Sequence, residues 1–326
     1  MIESKRQGDG GYKAPEELGD QFEPLLREAC HERLGPIAWF RADWQRGGAK
    51  TGRSTYDLGE HGPVPVVVKI PIGPNEFLWH HRLQPRPGQS QEITSRLYAS
   101  DTILGGYDLA WIVTERFSEG PLLGLVREDA IDLMSDAAAR FHALASAYPI
   151  TGKSRREDWA LLIERARENV QTNSVWHEQK WTNVLKRVAR SLDKLVELWR
   201  ARRCDCWCHG DLHPANAMSR SNDAEDPAML IDLAEVHVGH WVEDAVYLER
   251  MFWLRPGLLE DRPPVQQIAT RRKDFGLTVE PEDHKLADVR RILLAATAPA
   301  FLRTEGNPRY LDACLNVCDE ALGRIL

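Results

Sequence analysis

The 326-residue sequence has no apolar run of the roughly 18 to 20 residues that a membrane span requires. Its first stretch, MIESKRQGDGGYKAPEEL, has no apolar segment of the kind found in secretory signals. Basic residues are also in deficit, with 42 lysines and arginines against 49 acidic residues and a formal net charge of −7. Proteins that bind nucleic acid need a basic face for the phosphate backbone. The sequence therefore predicts a cytoplasmic protein with neither a membrane nor a nucleic acid among its partners.

Cysteine is scarce, and its distribution does not indicate disulfides. The six cysteines are Cys30, Cys204, Cys206, Cys208, Cys314 and Cys318. Without an export signal, reduced thiols are expected in a chain of this size. The alternating pattern Cys204-Asp-Cys-Trp-Cys208 places three sulfur atoms on one side of a strand, toward a core. Structural zinc sites more often use two cysteine pairs, so buried thiols are the favoured interpretation and zinc is the alternative.

Two regions of the chain differ in their hydrophobic patterns. Residues 1–18 are polar and rich in glycine, which predicts a flexible terminus. Residues 19–117 combine a helical stretch at about 19–33 with short β-branched runs such as VPVVVKI and LAWIVTERF. Ser90 is the candidate N-cap of a further helix over SQEITSRLYAS. Amphipathic helices dominate residues 118–326, at about 126–147, 156–171, 178–202, 240–255, 281–302 and 308–325. We expect a small sheet-rich lobe followed by a larger helical lobe.

The strongest chemical signal is the segment His209-Gly-Asp-Leu-His-Pro-Ala-Asn216, which is followed by Asp232 at the end of a strand. Phosphoryl transfer requires a carboxylate that receives the hydroxyl proton and hard oxygen ligands for magnesium. Asp211 suits the first role, while Asn216 and Asp232 offer an amide oxygen and a carboxylate to the metal. Pro214 stiffens the loop that holds them. A polar surface turn is the alternative interpretation.

This segment and Leu230-Ile-Asp-Leu233 resemble the aminoglycoside phosphotransferase and choline kinase group, which are relatives of the protein kinases. The resemblance extends over residues 40–255. It implies an α+β, two-lobed protein-kinase-like fold, with an antiparallel-sheet N-terminal lobe of residues 19–117 and a helical lobe of residues 118–326. It also implies that His209 braces the catalytic loop and that Asp244 anchors it. His240 and Ala234 depart from the residues that are common at their positions.

The resemblance further implies a lysine at the end of a hydrophobic strand, where it pairs with the α- and β-phosphates of a nucleotide. Lys69 ends the run Val66-Val-Val-Lys69 and is that candidate. A glutamate on a helix should hold this lysine. Glu92 is preferred because it opens the expected helix, and Glu76 is the rival. A lysine on a strand edge, without a role in nucleotide binding, is the alternative.

A glycine-rich stretch covers Gly47-Gly-Ala-Lys-Thr-Gly52-Arg-Ser54. Gly48, Gly52 and Ser54 are predicted to contact nucleotide phosphates, because glycine lets backbone N–H groups approach them. The stretch is one residue away from a Walker A pattern, with Arg53 at the lysine position. A Walker loop opens a helix, whereas TYDLGEHGPVPV, which follows, is rich in turn formers and β-branched residues. A simple hairpin turn is the alternative interpretation.

The segment Trp111-Ile-Val-Thr-Glu-Arg-Phe117 is the candidate hinge between the lobes. Thr114 is predicted to face the adenine ring. The backbone from Glu115 to Phe117 is predicted to form hydrogen bonds with the base. An ordinary buried strand is compatible with the same residues.

These residues predict an enzyme that moves the γ-phosphate of ATP or GTP, with Mg²⁺, onto the hydroxyl of a small molecule. Aminoglycosides and other hydroxylated antibiotics are the first candidates for the acceptor, and choline- or ethanolamine-like alcohols and sugars are alternatives. A nucleotide-binding pseudokinase without turnover is the alternative from another class. A protein kinase is disfavoured because no Ala-Pro-Glu element follows Asp232. The sequence leaves open whether the role is antibiotic resistance or metabolism, and whether the protein is a monomer or a homodimer.

The acceptor could be cationic, because the chain carries a net negative charge. Glu157, Asp158 and Glu235 are candidates for acidic side chains that would receive such an acceptor.

Overall fold

The computed structural model describes residues 15–40, 49–86, 91–122, 129–221, 223 and 226–325. The chain folds into two compact units. The first contains the described residues up to Gln84 together with Ser95–Arg116, and the second contains Pro85–Thr94 and the chain from Phe117 onward. The sequence places residues 85–94 in the N-terminal lobe. The fold differs from that expectation, because the described residues of this segment, 85, 86 and 91–94, belong to the second unit.

A five-stranded antiparallel sheet is the framework of the first unit. Its strands lie in the order β1-β2-β3-β5-β4. They are β1 (Ala38–Phe40), β2 (Lys50–Asp57), β3 (Pro63–Ile70), β4 (Leu97–Asp101) and β5 (Trp111–Glu115). Within β3, Val66, Val68 and Ile70 are fully buried. Since successive side chains of a strand point to opposite faces, Lys69 lies on the face away from this core.

Helix α1 (Pro15–Ala29) packs on the core of this sheet through Leu26, which is fully buried in the same cluster as Val68. The sequence predicts this helix over about 19–33. The helix ends earlier, at Ala29, and the backbone then turns through positive φ angles of 53° at His31 and 57° at Glu32. A helix cannot continue through that left-handed conformation.

The second helix of the first unit is α2 (Pro74–Arg82), and it lies before the position that the sequence predicts. The prediction of a helix over SQEITSRLYAS is wrong, because Leu97–Asp101 forms β4 and residues 91–96 are not helical. Ser90, the expected N-cap, lies outside the described residues. The signals for α2 are Pro74 at its first position and Glu76 in its first turn.

Helices dominate the second unit. They are α3 (Ala130–Ala145), α4 (Trp159–Thr172), α5 (Glu178–Arg200), α6 (Val242–Arg250), α7 (Pro256–Asp261), α8 (Pro264–Asp274), α9 (Asp283–Thr297), α10 (Leu302–Glu305) and α11 (Pro308–Ile325). Six of these correspond to the helices predicted from the sequence, while α7, α8 and α10 are additional. Trp159, Trp181 and Trp199 are buried within this helical core.

Two short strand pairs position the polar loops of the second unit. Strand β6 (Cys206–Cys208) pairs with β9 (His237–Gly239), and β7 (Ala217–Met218) pairs with β8 (Met229–Leu230), both antiparallel. The loop 209–216, here called the catalytic loop, therefore connects β6 to β7. The segment 231–236 connects β8 to β9, so both loops begin and end at paired strands.

All six cysteines are free thiols, and five of them are buried, with only Cys204 partly exposed. This agrees with the expectation of reduced core cysteines. Of the helices in the described part of the chain, none combines the length and the apolar composition that a transmembrane segment requires.

Candidate active site

Gly210 lets the catalytic loop lie directly on the segment 231–236. Its φ angle is 83°, a conformation that residues with a side chain rarely adopt. A Cβ atom at this position would lie 2.3 Å from the carbonyl oxygen of Glu235 and 2.8 Å from Nδ1 of His237. Both the backbone conformation and the available space therefore require glycine next to Asp211.

Asp244, on α6, holds the main chain of the same loop. Its Oδ2 accepts a hydrogen bond from the backbone N–H of His209 at 2.8 Å, and its Oδ1 accepts one from the N–H of Gly210 at 2.9 Å. His142 Nε2 lies 3.0 Å from Oδ2. Burial raises the pKa of this carboxyl, but the hydrogen bonds and the nearby imidazoles outweigh it and hold the pKa below its usual value. A buried carboxylate thus fixes the backbone on the N-terminal side of Asp211.

The ring of His209 is fully buried beneath the loop. Burial lowers its pKa, although Asp244 and Asp211 act in the opposite direction, so the ring is neutral. Nε2 donates to the carbonyl oxygen of Ile231 at 3.2 Å, and Nδ1 faces the backbone N–H of Asp211 at 3.4 Å. These contacts join the catalytic loop to the segment that leads into Asp232.

The carboxylate of Asp211 has three side-chain partners. Tyr247 donates its hydroxyl hydrogen to Oδ1 at 2.6 Å. Asn216 donates from Nδ2 to Oδ2 at 2.9 Å and also to the backbone carbonyl of Asp211 at 3.0 Å. His213 Nε2 lies 3.3 Å from Oδ2, while its Nδ1 accepts from the N–H of Ala215. Donors on both oxygen atoms fix the orientation of the carboxylate plane.

These donors also set the protonation state of Asp211. Burial raises the pKa of the carboxyl, but hydrogen bonds from His213, Tyr247 and Asn216 stabilise the anion and lower the pKa to about 2. The group is therefore a carboxylate at every ordinary working pH. A base this weak is suited to orienting a hydroxyl and to accepting its proton late in the reaction.

Tyr247 is a site residue that sequence reasoning missed. It lies three residues after Asp244 on α6 and therefore on the same side of that helix. Burial and the Asp211 carboxylate raise the pKa of its hydroxyl, which remains a hydrogen-bond donor. The spacing between Asp244 and Tyr247 is the sequence signal for this role. If Asp244 contacts the catalytic loop, a residue about one turn later on the same side of the helix can contact it too.

Asn216 and Asp232 lie next to each other across the β7–β8 pair. Ala217 is opposite Leu230, and the N–H of Ile231 donates to the carbonyl oxygen of Asn216 at 3.0 Å. Because the amide nitrogen of Asn216 donates to Asp211, the amide oxygen is the atom through which Asn216 would ligate a cation. Asp232 has an unusual left-handed backbone, with φ of 60° and ψ of 68°. One amide oxygen and one carboxylate are hard donors that fit Mg²⁺.

Lys69 forms an ion pair with Glu76, and the prediction of Glu92 as its partner is wrong. The distance from Lys69 Nζ to Glu76 Oε1 is 2.6 Å, and the Glu76 side chain is only 5% exposed. Glu92 instead lies 2.5 Å from Arg220 Nη1 through its Oε2, and its backbone carbonyl accepts from Arg140 Nη1 at 2.7 Å. The reason is that residues 91–94 pack with the second unit and form no helix, whereas α2 begins at Pro74, five residues after Lys69.

The glycine-rich stretch is divided by the start of β2. Gly48 lies outside the described residues. Gly52 is a strand residue whose missing Cβ makes room for Ile37 Cγ2, which would be 2.3 Å away. Ser54 is also in β2, and its hydroxyl donates to the carbonyl oxygen of Gly35 at 2.9 Å. This hydrogen bond gives no support to a phosphate contact of Ser54, and that contact stays a prediction.

The candidate hinge uses two of its backbone donors within the first unit. The N–H of Glu115 donates to the carbonyl of Arg96 at 2.8 Å, and the N–H of Arg116 donates to a β3 carbonyl at 3.1 Å. These two N–H groups are engaged within the first unit, and the predicted contacts of the backbone from Glu115 to Phe117 with the base stay a prediction. Thr114 is buried in β5, and the contact predicted for Phe117 stays a prediction.

The acidic residues that were candidates for a cationic acceptor all have partners. Glu157 Oε1 accepts from Arg290 at 3.0 Å, and Arg155 forms an ion pair with Glu235. Asp158 caps α4 by accepting from a backbone N–H in its first turn at 3.1 Å. These contacts give no support to a cation-binding role for the three side chains.

Residues 57–273, about two thirds of the chain, match the model of a family described as the phosphotransferase enzyme family. No curated protein sequence shows significant similarity to the chain.

Three solved structures resemble the chain over most of its length. A microcompartment-associated aminopropanol kinase has 11% identity and a TM-score of 0.60, with 93% of this chain and 98% of that chain covered. An aminoglycoside phosphotransferase from Alicyclobacillus acidocaldarius has 17% identity and a TM-score of 0.55, with 90% of each chain covered. A choline kinase from Streptococcus pneumoniae has 14% identity and a TM-score of 0.52, with 93% of this chain and 99% of that chain covered. These similarities confirm the predicted fold class, a two-lobed α+β kinase-like fold.

Proposed function

Because the chain belongs to the phosphotransferase enzyme family, we propose that it transfers the γ-phosphate of ATP or GTP to a hydroxyl group of a small molecule. The observation that carries this proposal is the carboxylate of Asp211, which is ionised, held by donors on both oxygens and backed by a rigid main chain. A phosphotransferase needs such a group to orient the attacking hydroxyl and to take its proton.

Asp211 acts on the acceptor by geometry more than by basicity. With a pKa of about 2, it does not deprotonate an alcohol before the reaction begins. It accepts a hydrogen bond from the acceptor hydroxyl, which directs a lone pair of the hydroxyl oxygen toward the γ-phosphorus atom. As the new P–O bond forms, the bond from that phosphorus to the β–γ bridging oxygen breaks, the nucleoside diphosphate leaves and Asp211 receives the hydroxyl proton. Tyr247 and Asn216 keep the carboxylate in the orientation that this step requires.

Asn216 and Asp232 are the proposed ligands of Mg²⁺, through an amide oxygen and a carboxylate. A magnesium ion bound there neutralises charge on the nucleotide phosphates. Lys69 is the proposed contact of the α- and β-phosphates. Glu76 holds the Lys69 ammonium group in place, and its buried carboxylate has a short charge-assisted hydrogen bond to it.

The acceptor is proposed to be a hydroxylated small molecule of the aminoglycoside type. Choline- or ethanolamine-like alcohols and sugars are the alternatives, since a choline kinase and an aminopropanol kinase share the fold. Glu157 and Glu235 each form an ion pair with an arginine. A screen should therefore include uncharged acceptors as well as cationic ones.

The test is a coupled assay of nucleotide consumption with Mg²⁺, run against aminoglycosides, amino alcohols and sugars. Phosphorylated product should form with at least one acceptor. Asp211→Asn should lower kcat by about 100- to 10,000-fold while leaving nucleotide affinity nearly unchanged. Asp193→Asn, at an exposed position of α5, is the matched control and should leave kcat unchanged. Unaltered turnover in Asp211→Asn would refute the role of this carboxylate, and nucleotide binding without any product would favour the pseudokinase alternative.

A further inference from the structure

Three side chains of the kinds that bind metal ions lie close together next to the catalytic loop. The cluster consists of Cys208 on β6, His237 on β9 and Glu243 on α6, and one potential ligand atom from each lies within 4.8 Å of the other two. Cys208 is directly opposite His237 in the pairing of β6 and β9. We propose that this cluster binds a borderline-soft divalent cation such as Zn²⁺, at a site separate from the one proposed for Mg²⁺.

The imidazole of His237 is already oriented as a metal ligand. Its Nδ1 donates to the carbonyl oxygen of Glu235 at 2.8 Å. This bond fixes the ring so that Nε2 faces the cluster, 3.5 Å from Oε2 of Glu243. Histidines that ligate metals almost always donate their other ring N–H to a carbonyl or carboxylate, which sets both the tautomer and the ring orientation.

The carboxylate of Glu243 is oriented in the same way. Its Oε1 accepts from Nε of Arg202 at 3.0 Å and from the backbone N–H of His240 at 2.8 Å. Oε2 is the oxygen that faces His237. Two outer donors therefore hold one oxygen and direct the other into the cluster, so the carboxylate needs no new rotamer to bind an ion.

Gly239 keeps the space between the ligands open. A Cβ atom on this residue would lie 2.5 Å from Oε1 of Glu243 and 3.0 Å from Sγ of Cys208. Cys208 is fully buried, and its thiol donates to the carbonyl oxygen of His240 at 3.3 Å. Binding replaces the thiol proton of Cys208 and the proton that His237 Nε2 shares with Glu243. Both protons pass to solvent, and the sulfur–carbonyl hydrogen bond is given up.

The donor set selects the kind of ion. Thiolate and imidazole suit zinc, whereas magnesium and calcium prefer oxygen donors only. Zinc forms bonds of about 2.0–2.3 Å to such ligands and is usually tetrahedral, with water completing a three-ligand site. The 3.5 Å separation of the His237 nitrogen and the Glu243 oxygen matches the distance between two ligands of one tetrahedral ion. The side chain of His237 is 12% exposed, so an ion would enter the cluster past this residue.

The experiment is a titration of the full-length chain, freed of metal with a chelator, with Co²⁺ as a spectroscopic substitute for Zn²⁺. We expect a 1:1 complex with thiolate-to-cobalt charge-transfer absorption and tetrahedral d–d bands, both displaced by Zn²⁺. Cys208→Ser should abolish the charge-transfer band, and His237→Gln should weaken Co²⁺ binding at least tenfold. Cys204→Ser, which removes a thiol outside the cluster, is the matched control and should bind as the parent chain does.

Circular dichroism of each variant shows whether it is folded. Because His237 is not deeply buried, His237→Gln keeps the test meaningful if Cys208→Ser does not fold. The proposal is overturned if the parent chain gives no thiolate band, or if His237→Gln retains the parent affinity. The readout is absorption and not phosphoryl transfer, so its outcome is independent of the proposed function.

Discussion

Tyr247 donates its hydroxyl hydrogen to Oδ1 of Asp211 at 2.6 Å, from a helix that also binds the backbone of the same loop through Asp244. Helix α6 therefore supports the catalytic loop at two levels. Asp244 holds the main chain, and Tyr247 holds the side chain that projects from it. The position of the carboxylate depends on the position of one helix.

The first prediction concerns this hydroxyl. Tyr247→Phe keeps the ring and removes the donor to Asp211. A hydrogen bond to a charged group is worth about 1.5–3 kcal/mol, so we expect kcat to fall by about tenfold or more with nucleotide KM unchanged. Steady-state kinetics measure the effect. Tyr107→Phe, at a side chain that is 63% exposed, is the control. An unchanged kcat in Tyr247→Phe would mean that the other two donors hold Asp211 without help.

The second prediction separates the two candidate partners of Lys69. Glu76→Gln removes the charge that holds the lysine, and we expect the KM for nucleotide to rise by about tenfold. Glu92→Gln should leave that KM unchanged and lower the melting temperature, because it breaks the ion pair with Arg220. Equal nucleotide KM values in the two variants would contradict the assignment of Glu76.

The third prediction tests the close packing at Gly210. Gly210→Ala places a methyl group 2.3 Å from a carbonyl oxygen and also strains a positive φ angle. Gly276→Ala imposes a similar conformational strain at φ of 71°, but its Cβ would have open space. Strain of this kind costs about 1–2 kcal/mol. Chemical denaturation should therefore show a larger loss of unfolding free energy for Gly210→Ala. Equal losses would show that the loop can move away from Glu235.

The fourth prediction is a pH dependence of stability from His80. Burial, with smaller contributions from Lys69 and His81, lowers the pKa of this imidazole to about 3 from an unfolded value of 6.5. Between those pH values the unfolded chain binds a proton that the folded chain does not. The free energy of unfolding should therefore fall as the pH falls through this window, by up to about 1.4 kcal/mol per unit from this group.

Denaturation of His80→Gln at several pH values measures this contribution. The variant should show a shallower loss of stability between pH 6 and pH 4, because glutamine does not titrate. His61→Gln, at an exposed position, is the control and should follow the parent curve. Parallel curves for His80→Gln and the parent chain would contradict the depressed pKa.

The sequence was most informative where the chemistry is local. Asp211 and Asn216 lie five residues apart in one loop, so their hydrogen bond follows from a short segment with a characteristic order. The strand that presents Lys69 was equally clear, because a run of β-branched residues carries its own signal. Both the fold class and the family followed from these segments.

The errors arose where local signals were weak. The sequence predicts a helix after Ser90 and none over residues 74–82, whereas the structure forms α2 at Pro74–Arg82. Burial of Trp79 favours the observed helix, since that side chain is fully enclosed in α2. A helix after Ser90 makes Glu92 the expected partner of Lys69, whereas α2 presents Glu76 to this lysine. Contacts such as Tyr247 with Asp211 join residues 36 positions apart and depend on how α6 packs.

Residues 91–94 belong to the second unit, although they precede Ser95–Arg116 of the first unit along the chain. Ile93 is fully buried, and its carbonyl oxygen accepts a hydrogen bond from the N–H of Leu230 at 2.7 Å. Leu230 is the last residue of β8 and lies two residues before Asp232. A fragment that starts at Phe117 lacks Ile93, which belongs to the second unit. A fragment that stops at Arg116 contains Ile93 but lacks most of that unit. We therefore expect each truncation at this boundary to lower stability, because it separates Ile93 from the unit to which it belongs.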